Sequence, residues 1–194
     1  SNASVPLLLL AIAVLAYGLL IPTIGFFWDD FPLSWINATY GAEGLERYFS
    51  TNRPYWGWLF RLTMPLLGDS PVAWHLFGLF WRWLSATLLW LLLRRLWPAA
   101  PHLALSASLL FLVYPGFQQQ HIPIIYGHLF LVFCCFLLSL YLSIWALQTA
   151  SRWRWAAHPL ALLLGLYQLL AIEYFFLLEL LRPALLWLAL AAHR

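Results

Sequence analysis

Two adjacent carboxylates, Asp29 and Asp30, directly follow the aromatic residues Phe26, Phe27 and Trp28. An aromatic cluster at the end of an apolar segment is typical of a membrane–water interface. Two carboxylates this close can bind a divalent cation such as Mg²⁺ or Mn²⁺, or one can accept a proton from an attacking hydroxyl while the other is structural. The alternative is a helix-terminal turn whose acids are only solvated, which a short motif does not exclude.

Arg53 is a candidate for binding phosphate. A guanidinium offers a fork of N–H donors that matches phosphate oxygens in bidentate fashion. The alternative is an ion pair with Glu43, Glu46 or Asp69, which would contribute little if it were exposed.

Arg82 is the most unusual charged residue, because it lies eleven positions beyond Pro71. That distance is about 16 Å along a helix, near the bilayer centre, where an arginine costs about 2.5 to 3.5 kcal/mol. We expect Arg82 to face the bundle or water, either pairing with Glu173 or Glu179 or binding a donor phosphate. Glu179 is also spaced i,i+3 from Arg182, so that these two can neutralise each other.

A polar patch, Gln118 to His121, interrupts the apolar sequence. Gln119, His121 and Tyr126 are candidates for hydrogen bonding to a hydroxyl-rich substrate. His121 and His128 are a weak metal-binding pattern, because no third acidic ligand is near, and interfacial anchoring is favoured.

The composition indicates a membrane protein. Of 194 residues, 64% are hydrophobic and 9% are charged, with a mean hydropathy of +0.81, whereas soluble domains carry about 25% charged residues. A bilayer core about 30 Å thick takes about 20 helical residues, and several apolar runs approach that length. The net charge of +3 is scattered, so nucleic-acid binding is not supported.

The elements that must position the polar residues follow from the apolar runs. Residues 1–3 are interpreted as a cloning scar, and residues 4–194 as a single transmembrane module. We expect a first helix over residues 5–24 and an external loop over residues 26–70 that carries short interfacial helices at 41–49 and 55–67. Further helices are expected over residues 71–96, 102–113, 123–148, 159–172 and 175–192. The predicted fold is all-α, a polytopic transmembrane bundle of about six helices.

The arginine distribution predicts the orientation. The segments 94–102 and 149–158 carry two arginines each and no acid, which is typical of cytoplasmic loops. The acidic first loop, the glutamine patch and Glu173 are then external. We expect a multi-pass protein of a plasma (inner) membrane, of bacterial type.

The order of short motifs resembles the N-terminal transmembrane half of the GT-C superfamily of membrane glycosyltransferases, which includes protein O-mannosyltransferases and aminoarabinose transferases. The motifs are Trp28-Asp29-Asp30-Phe31, Asn52-Arg53-Pro54, Gly68-Asp69-Ser70-Pro71 and His75-Leu76-Phe77. The resemblance covers roughly residues 5–180. It implies that the chain is the N-terminal part of a larger enzyme, since such enzymes usually add further spans.

The resemblance also implies an activity and its residues. Asp29 or Asp30 would be the catalytic base or metal ligand, Glu173 a second acid, and Arg53 a contact to the donor phosphate. The donor would be a polyprenyl-phosphate sugar held in membrane lipid, and the acceptor an unknown glycan, lipid or protein on the external face. The alternative hypothesis is a non-catalytic membrane scaffold or lipid-binding subunit.

Overall fold

The computed structural model describes residues 4–191, which are 81% helical and contain no strand. A π-helical turn, Val14–Gly18, continues the first helix, and 3₁₀ segments occupy Gln119–His121 and Glu173–Leu180. The α-helices are α1 (Ser4–Ala13), α2 (Asp30–Phe49), α3 (Pro54–Leu67), α4 (Pro71–Leu96), α5 (Pro101–Leu112), α6 (Pro123–Gln148), α7 (Arg154–Ala171) and α8 (Leu181–Ala191).

Three helical stretches are long and apolar enough to cross a membrane: Pro71–Leu96, Pro123–Gln148 and Glu173–Ala191. The first two coincide with the ranges expected from the sequence, because proline at the first helical position and an apolar run of fixed length mark them locally. The apolar stretches Ser4–Gly18 and Pro101–Leu112 are shorter. These features suggest a membrane protein.

The centre of the bundle is the contact between α4 and α6, which run side by side in the same direction. Near their beginnings Gly78 faces Gly127, with the Cα of Gly78 3.3 Å from the position that a Cβ on Gly127 would take. Near their ends Nη1 of Arg95 donates to Oε1 of Gln148 at 3.2 Å. The two glycines allow the backbones to approach closely, as small residues do between membrane helices.

The segment between the first helix and α4 is more helical than the sequence predicted. The short helix expected over residues 41–49 is the second half of α2, which begins at Asp30 and bends at Gly41, where φ is +69°. Glycine adopts a left-handed φ at little cost, which explains why the bend is at Gly41. The same residue is where the shorter helix was expected to begin. The helix expected over 55–67 is α3.

The C-terminal described segment is held to the bundle by a polar cluster. Glu179 and Arg182 pair as expected from their i,i+3 spacing, with Nη2 2.8 Å from Oε1. Gln168 of α7 donates to the same carboxylate at 2.8 Å. Residue 192, where the last helix was expected to end, lies outside the described residues.

Candidate functional site

The sequence-predicted residues gather at one end of the bundle, which we call the polar end. It comprises the Gly25–Asp30 segment, the beginnings of α3, α4 and α6, the loop 113–122 and Glu173. Asp29 is exposed there. Trp28 before it has φ +46°, a left-handed conformation that is uncommon for a bulky residue. The acid pair therefore follows a strained turn.

Asp30 is fully buried, and its role differs from that of Asp29. Its Oδ1 accepts the backbone N–H of Ile124 at 3.0 Å, in the first turn of α6, and its Oδ2 accepts that of Phe27 at 3.4 Å. Burial raises the pKa of Asp30 from 3.8 to about 7, against the lowering effect of these N–H bonds. Asp30 thus caps α6 and holds the Gly25–Asp30 segment against it.

The arrangement of the two carboxylates does not favour the metal site that the sequence suggested at Asp29 and Asp30. Both oxygens of Asp30 accept backbone N–H groups, whereas Asp29 lies at the surface. No group of three or more potential metal ligands occurs within residues 4–191. Although the two aspartates are adjacent in the sequence, one carboxylate is buried and the other is exposed. Their adjacency alone did not predict this difference.

Arg53 and Glu173 are in direct contact, although 120 positions separate them. Nε of Arg53 donates to Oε2 of Glu173 at 3.0 Å, and a second contact joins Nη2 to Oε1. These bonds raise the pKa of Arg53. The expected alternative partners of Arg53 were wrong: Glu43 and Glu46 pair with Arg61. The Arg53 side chain is 26% exposed and Glu173 60%, so the pair lies at a wet surface.

Tyrosines connect the acid pair to this ion pair. Tyr126 lies close enough to both Asp29 and Tyr174 to interact with them electrostatically. Tyr174 in turn lies 3.4 Å from Nη2 of Arg53. Asp29, Arg53 and Glu173 therefore share the polar end, but the larger cavities among residues 4–191 are not lined by them.

The main cavity at the polar end has a volume of about 560 Å³, within the range of small-molecule sites. One side is polar and the other is apolar. Phe27, two residues before Asp29, packs its ring edge-on against His121 of the lining, with centroids 5.3 Å apart. The lining residues are Leu15, Ala16, Tyr17, Leu19, Leu20, Ile21, Ile24, His75, Phe117, Gln118, Gln120 and His121.

Arg82 lies beneath this cavity, and both partners expected for it were wrong. Glu173 is bound to Arg53 and Glu179 to Arg182. Arg82 instead donates to neutral acceptors on three elements: the carbonyl of Leu112 (2.9 Å), Oε1 of Gln120 (3.0 Å) and the hydroxyl of Tyr17 (2.8 Å).

Three of the four residues in the polar patch 118–121 line the main cavity. His121 lines the main cavity, but Gln118 and Gln120 line it rather than the expected Gln119. Tyr126 packs edge-on against Phe117, with centroids 5.6 Å apart. A 3₁₀ turn over residues 119–121 determines which of these side chains face the cavity. The sequence pattern does not predict such a turn.

His128 is not part of a metal pair with His121. It is fully buried, with Nε2 2.8 Å from Oγ1 of Thr63, and its Nδ1 donates to the carbonyl of Ile124. His128 therefore links α3 to α6.

Sequence reasoning missed Tyr17 and did not give His75 a role of its own. Tyr17 is the one tyrosine in the first apolar stretch, and that was the signal available. Nε2 of His75 lies 2.9 Å from the carbonyl of Gly25, which fixes the segment before the acid pair.

No family model, curated protein sequence or solved structure matches this chain.

Proposed function

We propose that this chain is a membrane glycosyltransferase module, similar to the N-terminal half of GT-C enzymes. It transfers a sugar from a polyprenyl-phosphate donor to an acceptor on the side of the membrane that the polar end faces. In this proposal that side is external.

The observation that carries the proposal is the position of Asp29. It is exposed and follows Phe27 by two residues, and the Phe27 ring packs against His121 in the lining of a cavity that has both polar and apolar residues. A lipid-borne sugar needs both kinds of wall, one for the headgroup and one for the hydrocarbon chain. Asp29 also lacks the two backbone bonds that hold the Asp30 carboxylate, so its oxygens are free for a substrate hydroxyl.

The reaction needs a base at that place. A hydroxyl oxygen of the acceptor attacks the anomeric carbon of the sugar and passes its proton to the Asp29 carboxylate. The bond from the anomeric carbon to the phosphate oxygen breaks, and the electron pair leaves with the polyprenyl phosphate. General-base catalysis of this kind contributes about 10²- to 10⁴-fold. Asp30 holds the segment, and the Arg53–Glu173 pair holds α3 against the chain after α7.

Asp29→Asn is therefore expected to lower sugar transfer at least about 100-fold. The measurement is the loss of radiolabelled sugar from the lipid phase, in membranes that contain the full protein and a panel of polyprenyl-phosphate sugars. Asp69→Asn is the matched control: it also removes an exposed acid, one whose Oδ1 accepts from Asn37 at 3.0 Å, and transfer should be unchanged. Wild-type transfer by a folded Asp29→Asn protein would refute the proposal.

The second candidate is a non-catalytic membrane scaffold or lipid-binding subunit. Two observations favour it: Arg53 is neutralised by Glu173, and Asp30 caps a helix. In that case no polyprenyl-phosphate sugar would be consumed by the wild type, whereas lipid would still bind.

A further inference from the structure

Arg82 is a buried cation without a carboxylate partner. It is 1% exposed, and the ion pairs found within residues 4–191 involve Arg53, Arg61 and Arg182 instead. A buried charge that lacks its counter-ion costs several kcal/mol. Ionisable residues inside a membrane bundle that are kept at such a cost usually mark a ligand path or pair with one another.

The neutral groups around Arg82 compensate its charge only in part. The Leu112 carbonyl is at the end of α5, where the helix dipole is negative. The guanidinium carbon also lies 4.2 Å from the Tyr17 ring centre and 4.8 Å from that of Phe117, which adds cation–π attraction. Three of the five guanidinium N–H groups are used. The other two, one on each terminal nitrogen, have no acceptor within the described residues.

The loop 113–122 brings irregular backbone to the depth of Arg82. Helix α5 has 12 residues, about 18 Å, and is too short to cross a hydrocarbon core of about 30 Å. Its end and the following Gln120 both bond to Arg82, itself about 16 Å along α4. Non-helical backbone at such depth is tolerated where it is buried in protein or lines a cavity. Broken helices of this kind form binding sites in transporters.

Two cavities share Phe117 of this loop as a lining residue. Arg82 lines a smaller one of about 290 Å³, Gln120 lines the larger one, and Phe117 lines both. On the apolar side of the larger cavity Leu15 and Leu19 are 65% and 66% exposed, so that this side is continuous with the outer apolar surface of the first helix. The arrangement combines a cation, neutral polar groups and a lateral apolar opening.

We infer that the region around Phe117, between these cavities, binds the phosphate of a membrane lipid, with Arg82 as the anion-binding group. A phosphate oxygen replaces the Gln120 amide oxygen on Nη1 and uses the free N–H groups, and the hydrocarbon chain leaves past Leu15 and Leu19. This rests on the proposed function in one respect, because it places the donor phosphate at Arg82 rather than at Arg53. Binding itself requires neither Asp29 nor an acceptor.

The first test compares ligands on the full protein in detergent by native mass spectrometry. The probes are a long-chain polyprenyl monophosphate, the polyprenol of the same length, phosphatidic acid and inorganic phosphate. We expect the polyprenyl phosphate to bind at least about 10-fold more tightly than the polyprenol, because the alcohol lacks the charged oxygens that accept hydrogen bonds from the guanidinium. Equal binding of phosphate and alcohol would overturn the inference. Inorganic phosphate that binds as tightly as the lipid would also overturn it, because the chain would then contribute nothing.

The second test separates an anion site from a helix pin. Gln120→Glu places a carboxylate on the guanidinium and should keep the protein folded while weakening polyprenyl-phosphate binding at least about 10-fold. Gln120→Ala removes the amide that the phosphate displaces from Arg82 and should bind the lipid more tightly than the wild type. Arg82→Gln should lose binding, whereas the matched control Arg95→Gln should not: Arg95 lies on the same helix and also combines a glutamine partner with a cation–π contact.

The outcomes distinguish this inference from the proposed function. If Gln120→Glu binds the lipid phosphate like the wild type, the anion site is wrong even where Asp29→Asn abolishes transfer. If phosphatidic acid binds as tightly as polyprenyl phosphate, the lipid-phosphate site is supported, while a polyprenyl donor loses support. If binding follows the prediction but no sugar is transferred, the site remains and the enzyme proposal fails.

Discussion

Gly127→Leu is expected to leave no folded, monodisperse protein. A Cβ at position 127 would lie 2.8 Å from Cδ1 of Phe77 and 3.3 Å from the backbone of Gly78. The Phe77 ring cannot easily move, because the rings of Trp74, Trp81 and His128 pack against it. Added methylenes in a packed core typically cost 1 to 3 kcal/mol, and occasionally more. Here they separate the two helices at the centre of the bundle.

Position 78 supplies the matched control on the opposite helix. A Cβ on Gly78 would meet its nearest atom at 3.6 Å, an ordinary contact. We therefore expect Gly78→Ala to be neutral, or stabilising by up to about 1 kcal/mol, since alanine is the better helix former. Gly127→Ala should instead destabilise by about 1 to 3 kcal/mol. The fraction of protein that remains monodisperse after heating measures both, and similar losses at the two positions would contradict the packing argument.

At pH 3, where the Asp30 carboxyl is neutral in the folded protein, Asp30→Ala is expected to destabilise the bundle by about 1 to 3 kcal/mol, and by less as the pH rises. It leaves the buried N–H of Ile124 without an acceptor. That bond is also the cap of α6, and its loss costs about 1 to 3 kcal/mol. Thermal unfolding of the purified protein is the measurement. An unchanged unfolding temperature would show that Asp30 does not hold α6.

Asp30→Asn should behave differently, because asparagine carries no charge and its Oδ1 can still accept the N–H of Ile124. The pKa of Asp30 is near 7 in the folded protein and 3.8 for an ordinary aspartate. The folded state therefore binds more protons between these values, and the contribution of Asp30 to stability falls as pH rises from about 4 to about 7. At pH 8, Asp30→Asn should be more stable than wild type by up to about 4 kcal/mol. At pH 3, where neither side chain is charged, it should be slightly less stable, because its Nδ2 cannot accept the N–H of Phe27.

The difference in stability between wild type and Asp30→Asn, measured as a function of pH, reports the titration of Asp30, because the two proteins share all other titratable groups. Asp69→Asn is the matched control, because Asp69 is an exposed acid that is not among the groups acting on Asp30, and it should not reproduce the gain at pH 8. A wild type that is more stable than Asp30→Asn at pH 8 would mean that the carboxylate is better solvated by its N–H bonds than burial suggests.

The local features of the chain were predictable. The bounds of α4 and α6 follow from Pro71, Pro123 and the length of the apolar runs, and the Glu179–Arg182 pair follows from one helical turn. These helix bounds and this ion pair depend only on residues that are close together in the sequence. The membrane character that the three long apolar helices suggest was also indicated by composition, because a chain with few charges cannot cover itself with polar groups in water.

The site was predictable only as a list of polar residues. The sequence singled out Asp29, Asp30, Arg53 and Arg82, and it allowed one aspartate to be a base and the other structural. The acidic partners that it considered for the two arginines were wrong. Asp30 became a buried cap because the beginning of α6, 94 positions away, packs over it. Nothing in the neighbouring sequence marks that contact.

The sequence by itself determined a helical chain of membrane type, its longest helices and the chemical groups available. The tertiary structure decided which of these groups meet: Arg53 with Glu173 across 120 positions, and Arg82 with Tyr17 across 65. The reason is that helices which are apolar on every side carry no stripe that identifies their neighbours, unlike amphipathic helices in water. Close packing at Gly127 and the few polar contacts then select the arrangement.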